Sequence, residues 1–542
     1  MFDVVLVLPY PFSDHPSFPE GILKRALEAN GFSVGVIETP FWQDNHSFAV
    51  LGRPALCFAV VSGPLDSVVL NYTASRRRRR EDLYQSDGQA FFAGRPPDIK
   101  FKIRPDRTLT VFTSRLREVF RDVPVVIGGV EASLRCFAHY DFQEGRIRRS
   151  VLLDSRADIL VHGSGEKQIV AIAERLRAGQ PACAIDIPGT ARVLNRLPEE
   201  KNCLRLPDSE EVFTDPEKLL RGQLLVGRAA AEGRALAQKV ANRWVVLNGA
   251  QSYCRGDLDF IYGLPYLRRH QTAGEYSPAL QMNLFSVTAH RGCAGGCAFC
   301  SISVSEGKRI VSRSPEAIFR EIGRLAAHPR WQGVISDIGG APAEMYGADC
   351  EATDCARHSC LQPNPCQRFA PGAPFRSLLK HCRGLKEVKN IFLGSGVRYD
   401  LLLQNPELLE DILRHHCGRF LRIAPEHTEA DVLALMGKPS FAVLEEFVAL
   451  FRRLNRGLRR PIELAPYLIV GHPGETAAMV PLMKKKLLDL GLKTCDAQIF
   501  TPTPGTLSTA MYHCGLSPAG KTIAVEKDIR ALQERKRLLT GS

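Results

Sequence analysis

The sequence predicts an α/β protein in which an N-terminal doubly wound parallel sheet is followed by an incomplete (β/α)6 barrel. Two patterns predict this: short apolar runs rich in β-branched residues alternate with amphipathic helices, and the alternation stops and then resumes along the chain. The length of 542 residues suits two or three domains. Hydrophobic residues make up 45% of the chain and charged residues 24%, which excludes wholesale disorder and fibrous repeats.

Residues 1–185 supply the predicted parallel sheet. Strands are expected at 4–9, 33–38, 56–61, 123–129 and 159–161. The first helix ends at Asn30, with Gly31 as its stop signal, and the last is closed by Gly179. A Gly-Ser-Gly-Glu turn at 163–166 precedes that last helix, and it suits either a ligand phosphate at the helix start or a tight turn without a ligand.

The remaining chain predicts a connector, a barrel and a tail. Residues 186–270 combine charged helical stretches with Pro188, Pro198 and Pro207, which is typical of a connector between domains. Barrel strands are then expected within residues 271–515, near 286–289, 334–338, 390–393, 420–423, 467–470 and 497–500. Ser314 and Pro315 begin a helix after the first barrel strand as N-cap and first-turn residue. Ligands of such a barrel gather at the carboxyl ends of its strands. Residues 516–542 predict a basic helical tail.

Hydropathy and charge limit the possible cellular location and the possible partners of the protein. No run reaches the roughly 18 apolar residues of a membrane helix, and the N-terminal residues show no signal peptide, so we expect a cytoplasmic protein with no membrane partner. The formal net charge is +13, with basic residues concentrated at 76–80 and 521–537. This charge allows RNA as a partner, and a solvated basic surface is the alternative explanation.

Cysteines provide the strongest chemical signal. Seven of the sixteen lie within residues 293–366, which favours metal binding in a reducing compartment over a disulfide framework. Cys293, Cys297 and Cys300 have the spacing C-x3-C-x2-C on a glycine-rich loop after the first barrel strand. Three thiolates can each bind one iron of a 4Fe-4S cubane and leave the fourth iron open to a small molecule. Zinc sites usually use two C-x2-C pairs instead, and structural clusters use four cysteines.

This spacing, with Phe299 before the third cysteine, resembles the signature of the radical S-adenosylmethionine (SAM) superfamily. The resemblance implies that the open iron binds the amino and carboxylate groups of SAM. An electron from the cluster would then cleave SAM to methionine and a 5′-deoxyadenosyl radical, which takes hydrogen from a substrate. It also implies an external electron donor and a radical SAM barrel as the fold of the second domain.

Further segments are similar to those of one family, the YgiQ-type (UPF0313) radical SAM proteins, whose substrate is largely unsettled. These segments are DHPSF, NYTASRRRRREDLY, GGVEASLRCFAHYD, RRSVLLDSRADILVHGSGE, HRGCAGGCAFCSI, GVISDIGG, GSGVRYD, APEHTE and GHPGE. They lie between Asp14 and Glu475, so they cover most of the chain. The family resemblance therefore implies fold and cofactor more directly than it implies a substrate.

The resemblance also implies SAM contacts at the ends of barrel strands. The candidates are Gly339, Gly340, Ser395, Arg398 and Gly471. Radical SAM proteins typically have a Gly-Gly-Glu turn around the SAM amino group, but here Ala341 takes the place of the glutamate, and Asp337 is the substitute carboxylate. At each position, an ordinary glycine turn is the alternative.

Glu426 and His427 follow the fourth barrel strand and are candidates for the substrate side. A carboxylate beside an imidazole can tune proton transfer or orient a substrate. A hydrogen-bonded structural pair is the alternative, because adjacent residues at a strand end point in different directions.

A second cysteine group lies in an insertion at 345–370, which is poor in apolar residues. Its members are Cys350, Cys355, Cys360 and Cys366. Four thiolates would saturate either an auxiliary 4Fe-4S cluster or a zinc ion, and unmetallated thiols are the third alternative. A cluster beside the SAM pocket would pass an electron, whereas zinc would brace the loop.

The N-terminal sheet resembles the cobalamin-binding domain found ahead of many radical SAM proteins. The turns GGVEAS and GSGE carry this resemblance, but Asp14 and His15 are adjacent and do not have the Asp-x-His-x-x-Gly spacing of a cobalt ligand. The resemblance thus allows cobalamin and does not require it.

The reaction is then either methylation through cobalamin or hydrogen abstraction followed by rearrangement or insertion. The competing function is an RNA-binding or RNA-modifying protein with structural clusters.

Overall fold

The chain divides into two compact units. The computed structural model describes residues 1–198, 202–272, 276–350, 352, 355, 357–493 and 496–541. The first unit comprises Met1–Ser252, Leu264–Leu284 and Thr503–Thr506. The second unit comprises Tyr253–Gly263, Phe285–Pro502 and Leu507–Ser542.

The first unit is built around one sheet of nine strands. These are β1 Val4–Leu8, β2 Val34–Glu38, β3 Cys57–Val61, β4 Val125–Gly128, β5 Ile159–Val161, β6 Thr190–Leu194, β7 Cys203–Arg205, β8 Ala235–Val240 and β9 Arg243–Leu247. Their order is β7-β8-β9-β6-β5-β4-β3-β1-β2. The first five strands are parallel and have the order β2-β1-β3-β4-β5, one of the two common doubly wound arrangements. The predicted parallel sheet is confirmed.

Burial explains why β1 forms an interior strand of this sheet. Its sequence VVLVL is buried at every position. Val5 and Val7 join one apolar core, while Val4, Leu6 and Leu8 join the core on the opposite face. A strand covered on both faces is apolar throughout, because helices pack on each side of a parallel sheet. The helices of this unit are Pro19–Ala29, His46–Ala49, Ser67–Asn71, Thr108–Val119, Val130–Leu134, Val151–Ser155, Glu166–Arg177, Ser209–Thr214, Pro216–Glu232 and Pro278–Asn283.

Residues 186–270 differ from the predicted connector. Strands β6 to β9 lie in this stretch and extend the sheet, with β6 antiparallel to both β5 and β9. Pro188 lies just before β6, and Pro198 and Pro207 lie on either side of β7, where a missing N–H interrupts no ladder. Residues 199–201 lie outside the described part of the chain. The prolines mark turns of the first unit, and the interspersed charges of β6, β7 and β8 obscured the strands.

The second unit carries the barrel strands in chain order. They are β10 Ser286–Thr288, β11 Val334–Ile335, β12 Asp337–Gly339, β13 Asn390–Ile391, β14 Phe420–Glu426, β15 Glu463–Val470 and β16 Ala497–Ile499. Parallel pairing joins β10 to β12, β11 to β13, and β14 to β15 and β16. A parallel bridge between Val397 and Ile423 links the third predicted strand position to the fourth. All six predicted positions hold strands, the second being split into β11 and β12.

Helices follow most of these strands. They are Arg255–Gly263, Ile302–Ser305, Pro315–Leu325, Ala373–Arg383, Tyr399–Leu403, Pro406–His415, Ala430–Met436, Phe441–Asn455, Met479–Asp489, Leu507–Cys514 and Ile529–Thr540. The Ser314 hydroxyl accepts a hydrogen bond from the Ala317 N–H at 3.2 Å, so the predicted N-cap is confirmed.

Two predicted boundaries also differ from the structure. Residues 271–284 were assigned to the barrel, but Leu264–Leu284 belongs to the first unit, where strand Arg269–His270 pairs with Ser13–Asp14. Residues 273–275 lie outside the described part of the chain. The predicted tail, 516–542, contains helix Ile529–Thr540 and belongs to the second unit.

Candidate active site

The three-cysteine loop lies between strand His290–Arg291 and helix Ile302–Ser305. Its backbone is held at several points: the Cys293 N–H donates to the Gly307 carbonyl at 3.1 Å, and the Ala298 N–H donates to the Met436 carbonyl at 2.9 Å. Gly292 has a φ of 88°, and a Cβ there would lie 2.0 Å from the Arg309 carbonyl oxygen. Glycine is therefore required for the loop to pack closely.

The loop cysteines are half-buried, and the middle one faces the Arg398 guanidinium. Burial raises the pKa of the Cys293 thiol to about 11 and that of the Cys300 thiol to about 12, with neighbouring thiols adding to both shifts. The Arg398 Nη1 lies 3.6 Å from the Cys297 Sγ. Such thiols become thiolates when a metal cation binds them, because the cation supplies the missing positive charge. The donor set fits an iron–sulfur cluster.

Cluster ligation does not require the thiols to meet at one point. Among the described residues, no group of three or more His, Cys, Asp and Glu side chains is arranged to hold a single metal ion. In a cubane each thiolate binds a different iron, so the three sulfurs stand apart around the cluster.

The glycine turn after β12 has Ala341 in place of the glutamate that is typical of a Gly-Gly-Glu turn. A Cβ on Gly340 would lie 2.7 Å from the His290 ring, so the turn packs directly against that imidazole. Three residues beyond Ala341, the fully buried Glu344 accepts a hydrogen bond from the Arg398 backbone N–H. Its Oε2 has no hydrogen-bond partner among the described residues, and burial raises the pKa of this carboxyl to about 7. Sequence analysis missed Glu344, although an acidic residue so near Gly339 and Gly340 was a signal.

The predicted substitute carboxylate, Asp337, lies against the turn after β13. Its carboxylate accepts hydrogen bonds from the Ser395 hydroxyl and from the Gly394 N–H, the latter at 2.9 Å. Asp337 therefore shapes the turn after β13. Beyond this turn, Arg398 donates to both carboxylate oxygens of Asp400, at 3.0 and 2.7 Å. This bidentate pair orients the guanidinium towards Cys297.

Glu426 and His427 point to different groups. Glu426 has a φ of 67° at an irregularity in the β14–β15 pairing, a strained conformation for a residue other than glycine, costing about 1–3 kcal/mol. Burial raises the pKa of its carboxyl, with Lys438 and Arg398 opposing the shift. Its charge in turn raises the pKa of Cys300. His427 faces away, with its Nε2 3.2 Å from the Glu475 Oε2.

The turn after β15 is closed by its own carboxylate. Gly471 has a φ of 78°, and its N–H donates to the Glu475 Oε1 at 2.9 Å. The His472 Nε2 lies 2.7 Å from the Ser508 hydroxyl. This carboxylate therefore joins Gly471 and His427, two predicted site residues on different strands.

The second cysteine group contacts the three-cysteine loop. The Cys360 N–H donates to the Ala294 carbonyl at 3.0 Å, and the Ser359 hydroxyl donates to the Gly295 carbonyl at 2.7 Å. Burial raises the pKa of Cys360, and its three fellow cysteines, Cys366, Cys355 and Cys350, raise it further. The four thiols are thus close enough to interact electrostatically. Within this insertion, residues 351, 353, 354 and 356 lie outside the described residues.

Comparisons with known proteins cover nearly the whole chain. A family model described as Radical SAM N-terminal matches residues 1–286, and one described as Radical SAM superfamily matches residues 287–487. A UPF0313 protein of Geobacter sulfurreducens is 43% identical over 549 residues, covering 99% of this chain and 89% of the relative. A UPF0313 protein of Methanocella arvoryzae is 39% identical over 548 residues, covering 99% and 90%. The chain belongs to the UPF0313 family.

This UPF0313 protein is a radical SAM enzyme, and its cofactors are a 4Fe-4S cluster and SAM. It needs an electron donor and a substrate. Solved structures of TsrM from Kitasatospora setae, a radical SAM methyltransferase, match its fold. The one with cobalamin and a 4Fe-4S cluster bound has a TM-score of 0.51 at 16% identity, covering 97% of this chain and 84% of that chain. The one with tryptophan and a SAM analogue bound has a TM-score of 0.50 at 17% identity, covering 93% and 74%. At such identity the likeness shows the fold alone, and it confirms the predicted fold class.

The residues that resemble a cobalamin domain are engaged within the first unit of the UPF0313 protein. Both His15 ring nitrogens have partners: Nε2 lies 2.9 Å from the Arg268 Nη1, and Nδ1 accepts from the Ser17 N–H at 3.0 Å. Asp14 pairs with Arg25. In the GSGE turn, the Gly163 N–H donates to the Ser133 hydroxyl at 2.9 Å. His15 therefore does not fit as a cobalt ligand, and cobalamin binding stays a prediction.

Part of the basic run of the UPF0313 protein also makes internal contacts. The Arg76 guanidinium lies 4.8 Å from the centre of the Phe142 ring, and the Arg79 Nε donates to the Tyr72 carbonyl at 3.1 Å. The comparisons give RNA no support as a partner. In the described part of the chain, no helix is long and apolar enough to span a membrane.

Proposed function

We propose that Cys293, Cys297 and Cys300 hold the 4Fe-4S cluster at which this enzyme cleaves SAM reductively, to start hydrogen abstraction from a substrate. One observation carries the assignment: three thiols lie on one anchored loop, with the Arg398 guanidinium 3.6 Å from the middle one. When bound, the cluster supplies one electron that breaks the bond between the SAM sulfur and C5′, yielding methionine and a 5′-deoxyadenosyl radical.

Glu344 is the proposed acceptor for the SAM ammonium group, in place of the glutamate absent at Ala341. A buried carboxylate oxygen without a partner among the described residues suits a cationic ligand, because burying such a group unpaired costs free energy. Arg398 joins this carboxylate to the cysteine loop, since its backbone N–H donates to Glu344 and its side chain to Cys297. Gly339, Gly340, Ser395 and Gly471 are proposed to shape the rest of the SAM site.

Glu426 is the proposed substrate-side group. It is buried, its backbone is strained, and its charge acts on Cys300. The positive charge of Lys438 acts on Glu426 and balances the carboxylate charge. We assign His427 to the support of Glu475 instead, because its Nε2 faces that carboxylate.

Cys350, Cys355, Cys360 and Cys366 are proposed to hold a second 4Fe-4S cluster that passes electrons from the external donor. The contact between Cys360 and Ala294 supports this role, because it brings the insertion against the three-cysteine loop. We also propose a cytoplasmic location. In support, none of the fifteen cysteines among the described residues forms a disulfide, as expected in a reducing compartment.

The test is the iron and sulfide content of the anaerobically reconstituted chain, measured together with 5′-deoxyadenosine formation. A variant with Cys293, Cys297 and Cys300 replaced by Ala is compared with Cys417→Ala, which alters a cysteine outside both groups. We expect about eight irons to fall to about four and SAM cleavage to cease, with Cys417→Ala unchanged. About four falling to none would overturn the second cluster and leave that group to zinc or to free thiols. No loss of iron would overturn the assignment of the three cysteines.

RNA as the substrate is a separate outcome. If RNA were the substrate, nucleic acid would copurify with the chain, and its binding would weaken steeply with salt. If the cluster alone accounts for the absorbance at 260 nm, RNA is excluded as the substrate.

A further inference from the structure

The C-terminal helix Ile529–Thr540 lies beyond the residues that the radical SAM family model matches, yet it packs on the turn after β15. A Cβ on Gly471 would lie 2.2 Å from the Leu532 Cδ2, so that turn and this helix are in direct contact. The Lys484 Nζ donates to the Leu538 carbonyl at 2.7 Å and holds the end of the helix. A segment predicted to be a charged tail is thus part of the barrel.

Arg535 extends from this helix to Glu475. Its Nη1 lies 3.2 Å from the Glu475 Oε1 and 3.4 Å from the Glu475 carbonyl oxygen, and its Nη2 lies 3.0 Å from the Glu526 Oε2. The Glu475 side chain is fully buried, and the Arg535 side chain is 10% exposed. Glu475 also accepts from the Gly471 N–H and faces His427. One carboxylate therefore joins the C-terminal helix to two predicted site residues.

Arg535 is the main counter-charge of Glu475 in this network. A buried carboxylate is costly unless a cation and hydrogen bonds compensate it. His427 is positive only when protonated, whereas an arginine is always charged. Arg535 thus supplies the permanent counter-charge that keeps Glu475 in place. Glu475 in turn keeps the Gly471 N–H and the His427 ring in place.

We propose that Arg535 is a positioning residue for SAM, which fixes the Gly471–Glu475 turn through Glu475. The proposal rests on the proposed function, in which that turn shapes the SAM site. The hydrogen bonds of Arg535 among the described residues go to Glu475 and Glu526 and to none of the proposed cluster ligands, so its loss should weaken SAM binding and leave cluster assembly unchanged.

The test compares Arg535→Leu and Arg535→Lys with Arg537→Leu, which alters an exposed arginine on the same helix. The measurements on the reconstituted full chain are iron content, and the KM and kcat for SAM in 5′-deoxyadenosine release with dithionite as reductant. We expect Arg535→Leu to raise the KM by about tenfold, because a hydrogen bond to a charged group is lost, with a smaller change in kcat and full iron content. Arg535→Lys should restore most of the affinity.

An unchanged KM in Arg535→Leu, or an equal rise in Arg537→Leu, would overturn the proposal. If Arg535→Leu does not fold, Glu526→Gln serves as the second variant, because it loosens the same guanidinium. This variant must raise the KM for SAM by a smaller factor. An unchanged KM in Glu526→Gln is contrary to the proposal. Failure of the proposed function is distinct, since the wild-type chain would then release no 5′-deoxyadenosine.

Discussion

Both units place charged side chains at the carboxyl ends of parallel strands, but the two units differ in how those side chains are paired. After β4, Arg135 donates to Asp66 at 2.7 Å and to Asp141 at 2.9 Å, and Glu131 accepts from the Ser67 hydroxyl. After β12, Glu344 keeps one carboxylate oxygen without a partner among the described residues. Buried polar groups that hydrogen-bond to one another stabilise a fold, whereas a buried polar group without a hydrogen-bond partner is a candidate for binding a ligand. The network after β4 is therefore satisfied internally, whereas the carboxylate after β12 is the one we propose for ligand binding.

Arg135→Leu should produce the largest effect. It leaves Asp66 buried without its cation and leaves Asp141 with Arg107 alone, so we expect a loss of about 3–5 kcal/mol in the free energy of unfolding. Urea unfolding measures it through Trp42 and Trp244, which lie in the first unit, in a Trp331→Phe background.

The control for that variant is Arg53→Leu, which removes an exposed pair with Asp122. The side chains of this pair are 51% and 72% exposed, so the loss should stay below about 1 kcal/mol. Equal losses for the two variants would mean that the network after β4 is not structural.

Glu344→Gln should weaken SAM binding by about ten- to a hundredfold, because a charge-assisted hydrogen bond becomes a neutral one. The KM for SAM in 5′-deoxyadenosine release measures it, with iron content unchanged. Glu131→Gln makes the same exchange in the first unit and should leave this KM unaltered. If both variants behave alike, Glu344 does not bind SAM.

The pH dependence of stability tests a buried carboxyl of the first unit. Burial raises the pKa of Glu20 from 4.5 to about 8, and Tyr10, Arg104 and Tyr84 face it. Because the folded state then binds the proton more tightly than the unfolded state, stability falls as pH rises towards 8. We expect a loss of about 1 kcal/mol between pH 7 and 8, measured by urea unfolding in the Trp331→Phe background.

Glu20→Gln should remove that slope, whereas Glu28→Gln, at a less buried carboxyl of the same helix, should keep it. A slope that persists in Glu20→Gln would assign the pH dependence to other groups.

A pair of glycines separates the cost of backbone strain from the cost of overpacking. Gly31 and Gly471 have φ angles of 75° and 78°, but a Cβ on Gly31 meets no described atom within 4 Å, while one on Gly471 meets Leu532. Gly31→Ala should cost about 1 kcal/mol from its backbone alone. Gly471→Ala should cost about 1 kcal/mol more from overpacking. Urea unfolding of each unit measures these costs, with Trp331 as the probe of the second unit after Trp42 and Trp244 are replaced by Phe.

A Leu532→Ala background should remove the excess cost of Gly471→Ala. If the excess persists there, contact with the C-terminal helix is not its source.

Local signals were sufficient for strands β1 to β5 and for the barrel strands. The run VVLVL in β1 predicts a strand buried on both faces, and Ser314 followed by Pro315 predicts a helix start, because each depends on neighbouring residues alone. Strands β6 to β9 escaped prediction because each carries a charged residue and prolines interrupt the stretch. Their place is set by the pairing of β6 with the edge of β5, about 30 residues away in the chain, and by the pairing of β9, β8 and β7 onto β6 in turn.

By itself, the sequence determined the fold class, the family and the cysteine spacing, because these depend on residue types at short separations. Tertiary structure decided which groups became partners. It directed Asp337 to Ser395, left Glu344 with an unpaired oxygen among the described residues, and separated Glu426 from His427. It also brought Arg535 to Glu475 across 60 residues. The sign and value of a buried charge depend on what packs against it, and segments distant in the chain supply those neighbours.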